Sequence, residues 1–472
     1  MIQSIAQKEF VSTLRDKRFL VLSMLMLALL LAATLVGRAS YRTLQQERQL
    51  AQQTVNDQFR NQPNRHPHRV AHYGSFAFRP KSGLSLLDAG VDSYTGTTVY
   101  LEAHQQNSVN FSQSQQSGSL IRFGELTVAF VLQMLVPLLI VFLCFGAFTQ
   151  ERETGTLKLL LSQGATLRQL AWGKIQGYSR AVALVVLPAL ALAATLLFTG
   201  EAFASTADLL LRLGLFVLGY AVYFFLIIVG TVVVSARQAS SRAALVTLLG
   251  LWSLGCIIMP KATANLGATL YPAVTKAQMD AAVHDEAQHG INGHDPQDQR
   301  VEALKAATLR KYGVDSVQHL PVSFAGIQMA AAEEYSAKVY QQHFAALNAT
   351  YERQNRLSDW LGLLNPYQAI RPLSMTLAGS DFAHYVHFQQ AAEKYRYHLV
   401  QRLNGLQTGM GYGDKERKLD ASTWKQLPVF TYQAPPLGWA GPRLLLPAAA
   451  LLLWAVALTW LGMRLISTSR LV

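Results

Sequence analysis

Residues 126–162 read LTVAFVLQMLVPLLIVFLCFGAFTQERETGTLKLLLS: an apolar run, then the charged octet Glu151-Arg152-Glu153-Thr154-Gly155-Thr156-Leu157-Lys158, then an amphipathic stretch reaching Lys174. About 20 apolar residues in a helix cross the ~30 Å hydrocarbon core of a bilayer. Block 126–148 meets that length, and a second block, 175–198, opens directly after Lys174. The octet therefore sits in a short polar connection between two membrane spans. Four more blocks pass the same test: 19–36, 209–234, 243–259 and 444–465, the fifth in chain order being the shortest and carrying Gly250 and Gly255. A helix satisfies all its backbone polar groups within one segment, which lipid demands. The expected fold is an all-α polytopic membrane protein with six transmembrane helices.

Composition agrees with a chain of two populations. Over 472 residues, 51% are hydrophobic and 15% charged, yet the charges fall almost wholly between the apolar blocks. The first block exceeds the 7–15 residues of a signal h-region, and Glu9 and Asp16 interrupt its leader, so it reads as a retained span. The two cysteines, Cys144 and Cys256, both lie in apolar blocks, which excludes a disulfide framework for the polar regions. A net charge of +13 raises the question of nucleic acid, but the bases are scattered, with no stripe for a phosphate backbone.

Orientation follows from Lys and Arg near the span ends. Lys8, Arg15, Lys17 and Arg18 precede span one. Arg152, Lys158, Arg168 and Lys174 follow span two, Arg237 and Arg242 separate spans four and five, and Arg464 and Arg470 follow span six. The connection 199–208 has Glu201 and Asp208 and no base. One alternating arrangement puts every basic set inside: both termini, the segment 149–174 and the tail 466–472 cytoplasmic, and 37–125 and 260–443 outside. Residues 1–18 carry Ile2, Ile5, Ala6, Phe10, Thr13 and Leu14 at helical spacing, the pattern of an amphipathic interfacial helix with Lys8, Arg15 and Lys17 toward headgroups or water.

In the first extracytoplasmic region, Ser40–Arg60 lacks Gly and Pro and continues span one as a protruding helix, ended by Pro63 and Pro67. Residues 69–78 and 97–103 read as short strands, and 107–119, rich in Ser and Gln, as a loop. The second region is mainly helical. One stripe, Tyr335, Val339, Phe344, Leu347 and Tyr351, and another, Phe388, Ala392, Tyr395, Leu399, Leu403 and Leu406, are expected to bury against each other. Residues 427–432 offer a further strand before Pro435 and Pro436. The fold class is thus a helical bundle plus a mainly helical extracytoplasmic domain with a small β element.

No catalytic arrangement appears: no Gly-x-Ser-x-Gly elbow and no Gly-x-x-x-x-Gly-Lys-[Ser/Thr] phosphate loop, so the chain reads as a non-enzyme that binds no ATP itself. Arg180 and Arg212 stand near span ends, where long side chains snorkel, and the spans otherwise carry almost no charge. All twelve histidines lie in the outside regions, including His66, His68 and His72, and His284, His289 and His294. Their spacings match no established ligand motif, and no metal site is expected.

Glu151 through Leu157, followed by Leu159-Leu160-Leu161-Ser162 and Gly173-Lys174, resembles the segment after the second span of ABC-2-type transporter permeases, as do the six spans and the leading amphipathic helix. The large outside inserts, with Asn365-Pro366-Tyr367, Leu377-Ala378-Gly379 and Phe388…Tyr395-Arg396, resemble a branch related to gliding-motility and copper-enzyme maturation permeases. The resemblance implies a permease subunit in the inner membrane, paired with a second identical or similar chain. A separate ABC ATPase dimer would hold the ATP and Mg. Glu151, Arg152, Glu153, Gly155, Thr156, Leu157 and Lys158 would then form the ATPase-coupling interface. Glu151 and Glu153 would offer acceptors to the partner, Gly155 the bend and Thr156 a helix cap, while Leu157, Leu160 and Leu161 anchor the segment to the bundle. Transport, with export as the family expectation, is the first reading. The alternative is ATP-driven mechanotransmission to an envelope partner without solute crossing.

Overall fold

Among the described residues, six helices are long and apolar enough to cross a membrane: Lys17–Arg60, Val128–Glu153, Leu167–Leu197, Thr206–Arg237, Ser241–Leu270 and Leu437–Ser467. The computed structural model describes residues 1–109, 126–197, 205–289 and 299–468. Most of the 107–119 loop, the end of the third apolar block at 198, Glu201, His294 and Arg470 lie outside the described residues. The protein is a helical polytopic membrane protein, with one small sheet among the described residues.

The chain opens with α1 (Ile2–Arg15) and α2 (Lys17–Arg60). Asp16 alone separates them: it is extended, and its carboxylate accepts from the Arg18 amide at 2.8 Å, capping α2. At 1.5 Å per residue, α2 is about 66 Å long, so it crosses a bilayer and continues well past it. Then come α3 (Pro67–Tyr73) and, within span two, α4 (Val136–Cys144) and α5 (Thr149–Glu153). Next are α6 (Thr156–Ser162), α7 (Leu167–Leu197), α8 (Thr206–Arg237) and α9 (Ser241–Ser253), the last running through a π turn into α10 (Met259–Leu270). The distal helices are α11 (Lys276–Ala287), α12 (Gln299–Tyr312), α13 (Phe324–Leu361), α14 (Pro366–Ala378) and α15 (Phe382–Thr408), and α16 (Leu437–Ser467) closes the bundle.

Helix α8 is the hub of the bundle. Phe216, Tyr220, Tyr223, Phe224, Ile228, Val229 and Val232 are buried on several of its faces, against α4, α7, α14 and α16. A helix apolar all round belongs inside. Span five is the opposite case: 11% of its apolar window is buried, against 56% for α8, so it faces lipid or another chain.

One distal helix returns into the bundle. Asn365 caps α14, accepting from the Tyr367 amide at 3.1 Å while donating to the Gly255 carbonyl at 2.7 Å. Ala369, Ile370, Leu373, Leu377 and Ala378 then join the bundle core, and the missing Cβ of Gly219 makes room for Leu373. Two sequence expectations fail here. Arg212 does not snorkel: it is fully buried, donating to Asp208 at 2.7 Å and to the carbonyls of Thr376, Leu377 and Pro435. Those carbonyls include the open end of α14, where a cation is favoured. Nor are the spans nearly free of buried charge, since Lys174 is buried as well.

The distal region holds a three-stranded antiparallel sheet, β1 (Ser75–Phe78), β2 (Thr98–Glu102) and β3 (Gln105–Gln106), in that order, with Phe76 opposite Tyr100. Gln52 of α2 pins β1, donating to the Phe76 carbonyl and accepting from the Phe78 amide, both at 3.2 Å. The run 69–78 is only partly strand: Pro67 at the first helical position and the His66 ring, which accepts from the His68 amide, start α3 instead. Residues 427–432 form no strand, although Leu427 and Phe430 are buried.

Helices α13 and α15 do pack together, but not through their apolar stripes. Tyr335, Val339, Phe344 and Leu347 bury against Met279 and Val283 of α11. The α15 stripe buries elsewhere, against Phe59, Val70, Trp424 and the inner face of the sheet. Between the two helices lie Glu333 with Arg396 at 2.6 Å, Gln401 on the Ala330 carbonyl, and Gly326, whose Cβ would collide with Thr408.

Candidate coupling site

The octet folds as an elbow between α5 and α6. Gly155 adopts φ 74°, a left-handed conformation natural to glycine, and nothing lies within 4 Å of the place a Cβ would take. The bend is therefore set by backbone geometry and not by packing. Thr156 does not cap α6: the cap position is Gly155, and the Thr156 hydroxyl reaches back to Thr154 Oγ1 at 2.9 Å and the Glu151 carbonyl at 3.3 Å. Leu157 is buried in the bundle core, with Leu160 and Leu161 half-buried against it. Lys158 and Leu159 point outward.

Each of residues 151–153 holds a different part of the bundle. Glu151 accepts from Lys174 of α7 at 2.8 Å and lies 3.5 Å from Lys8 of α1. Arg152 donates to the carbonyls of Ala236, at 2.9 Å, and Gln238, closing the end of α8. Glu153 accepts from the Ser241 amide at 2.7 Å and its hydroxyl at 2.8 Å, at the start of α9. These are the signs that helix ends favour: a cation at the carbonyl end and an anion at the amide end. Both carboxylates already accept hydrogen bonds within the chain, Glu151 half-buried against Lys174 and Glu153 exposed at the Ser241 amide. The exposed surface of the elbow is Glu153, Thr154, Gly155, Thr156, Lys158 and Leu159.

Behind Glu151 lies a buried ionic cluster. Lys174, its side chain 2% exposed, bridges Glu151 and Glu9, the latter at 3.3 Å, and the Tyr178 hydroxyl donates to Glu9 at 3.0 Å. Burial pushes the Glu9 carboxyl up, but Lys174, Lys8 and Tyr178 together outweigh it and hold the group below the usual range, ionised at neutral pH. Helix α1 reaches this cluster because α7 presents Gly173 and Gly177 to it. A Cβ on Gly173 would collide with Ile5, and one on Gly177 would come within 2.8 Å of Glu9 Cβ. The apolar stripe of α1 thus seats on span three; Arg180 supports it by donating to Gln3 at 2.9 Å. Since α7 begins at Leu167, Gly173 and Lys174 lie in the same continuous helix as span three.

Sequence reading counted Lys174 among the cytoplasmic bases and singled out Gly173 by resemblance, and gave no site role to Glu9, Gly177, Tyr178 or Ser241. Two signals were present: an acid on the same helical face as Ala6 and Thr13, and glycines four apart, which allow close helix approach in membranes. The N-terminal helix, the elbow, the α8–α9 turn and the end of α16 all gather at one end of the bundle; Arg168 and Trp172 line a shared cavity with Met463, Arg464 and Ser467. The sheet and α11–α15 lie toward the other end.

A family model described as a domain of unknown function (DUF3526) matches residues 276–433, about a third of the chain. That match covers α11 through α15 and the extended segment after them, and includes none of the six spans. Comparison with curated proteins finds no match.

Proposed function

We propose that this chain is the membrane-spanning permease subunit of an ATP-driven transporter of the ABC type, with the elbow as the surface on which a separate ATPase subunit acts. The observation that carries the reading is the wiring of 151–153. An exposed bend projects from the bundle, and three consecutive side chains behind it grip α1 and α7, the end of α8 and the start of α9. A push on the bend is passed to four helices at once. Helix shifts of this kind convert local force into a change between two packings.

On this reading the basic end of the bundle faces the cytoplasm, with both termini, in an inner membrane. ATP and Mg bind the partner ATPase dimer and not this chain, which performs no catalysis. A second, identical or similar chain completes the pathway, and span five, with its exposed apolar window, has a free face for it. The test is whether an ABC-type ATPase subunit co-purifies with this chain from its native membrane. Leu159→Glu and Lys158→Glu alter only exposed side chains, and should abolish capture of the ATPase while the bundle stays folded. Full assembly and ATP-dependent flux in both variants would refute the proposal.

One observation favours mechanotransmission as a second reading. Helix α2 is continuous from the basic end to Arg60 and is bonded to β1 through Gln52, so movement of span one moves the distal sheet directly. ATP-dependent crosslinking of the distal region to an envelope partner, with no flux in reconstituted vesicles, would select it.

A further inference from the structure

Three histidines far apart in the sequence meet in the distal region. His68 and His72 are four residues apart on α3, one helical turn along a face. His104 lies in the tight turn between β2 and β3. Ring centroids stand 4.5 Å apart for His68–His72, 5.1 Å for His72–His104 and 5.9 Å for His68–His104, and one ring nitrogen from each falls within 4.8 Å of the other two.

We propose that His68, His72 and His104 form a binding site for a divalent late first-row transition metal, Zn2+ or Cu2+, with further coordination open to solvent. Zn–N bonds of about 2.0–2.1 Å in tetrahedral geometry place ligand nitrogens ~3.3 Å apart. The Nε2 atoms of His68 and His72 are 3.1 Å apart, close to that spacing. Small rotations about the side-chain bonds bring in the third ring. Three imidazoles and no thiolate suit zinc, copper or nickel over calcium or magnesium, which want oxygen ligands.

The surroundings of His104 support a ligand role over a casual ring cluster. It has φ 68°, making it the single non-glycine residue with positive φ among the described residues. Such a conformation persists where neighbours hold it, and here they do. The His104 amide donates to Glu333 at 2.8 Å, and Ser336 donates to the His104 carbonyl at 2.6 Å. Glu333 Oε2 also sits 3.3 Å from His104 Nδ1. A carboxylate on one imidazole nitrogen fixes the tautomer and leaves Nε2 as the ligand atom, the usual partner of a metal-bound histidine. Glu333 is itself fully buried and held by Arg396 at 2.6 Å, which Glu393 braces at 2.7 Å. His66 takes no part: its Nδ1 accepts from the His68 amide, and its Nε2 lies 3.7 Å from Asp414. Occupancy would staple α3 to the hairpin and, through Glu333, to α13. This differs from the sequence expectation of no metal, because His104 is 32 residues from the nearest of the other two.

The test is equilibrium dialysis of the full-length, tag-free protein in detergent against Zn2+ and, separately, Cu2+, with metal content measured per chain. One equivalent is expected in the native protein. His72→Ala, an exposed position, and His104→Gly, which tolerates positive φ, should each weaken binding at least tenfold, while His284→Ala leaves it unchanged. Less than one equivalent in the native protein, or undiminished affinity in His72→Ala and His104→Gly, would overturn the assignment.

Discussion

Replacing Lys174 by Met tests whether the ionic cluster docks α1 to the bundle. The native ammonium is almost fully buried and shared by Glu9 at 3.3 Å and Glu151 at 2.8 Å. Removing it leaves two carboxylates in a poorly hydrated pocket, with Lys8, 62% exposed, as the remaining cation of the cluster. Breaking a buried pair from one side costs about 3–5 kcal/mol, largely because the abandoned charge has no counter-ion. Taking the lower figure, the equilibrium between docked and released α1 shifts by roughly 10²-fold, at 1.4 kcal/mol per decade. Amide hydrogen exchange in detergent reads this directly: protection of residues 9–15 should fall by about that factor, while the core of α8 stays protected. Lys8→Ala is the control, since an exposed pair contributes under ~1 kcal/mol. Adding Glu9→Gln and Glu151→Gln to Lys174→Met should recover most of the protection, because no buried charge is then left unpaired. If Lys174→Met lowers protection no more than Lys8→Ala does, the cluster is not what holds α1.

Gly177→Leu should loosen the same helix by a different route: overpacking against Glu9 and Ala6 costs about 1–3 kcal/mol. Trypsin cleavage after Lys8 and Arg15 should rise several-fold, while Gly214→Leu, where an added Cβ meets nothing within 4 Å, leaves it unchanged. Asp359, at the end of α13, gives a pH dependence. Burial, then the charge of Asp381, push its carboxyl up to about 6, with Arg356 opposing. A carboxyl raised in the folded state favours folding fully below its unfolded value near 4, and that contribution is lost as pH rises through 6. Asp359→Asn should therefore raise neutral-pH stability by about 1 kcal/mol, after discounting for partial exposure, and make the thermal midpoint of the full chain less sensitive between pH 5 and pH 8. An unchanged difference between the two pH values would refute it.

Hydropathy alone determined the six membrane-crossing helices, because a segment in lipid must satisfy its backbone internally and show an apolar surface whatever its neighbours are. The same local logic holds for the Ser40–Arg60 extension and for the Gly155 bend. Tertiary structure decided which faces meet. The stripes of α13 and α15 looked complementary, yet each found a different apolar partner, and the two helices joined through Glu333 and Arg396 instead; periodicity gives a helix its inward face but not the identity of what covers it. From resemblance alone, Glu151 and Glu153 are expected to offer acceptors to a partner. Only the approach of α1 over Gly173 and Gly177 turned Glu151 inward, and only the α8–α9 turn gave the exposed Glu153 a partner within the chain. The return of α14 into the bundle, with Arg212 closing its carbonyl end, and the meeting of His104 with His68 and His72 likewise depend on long-range packing. Sequence spacing carries no distance between segments that only the completed fold brings together.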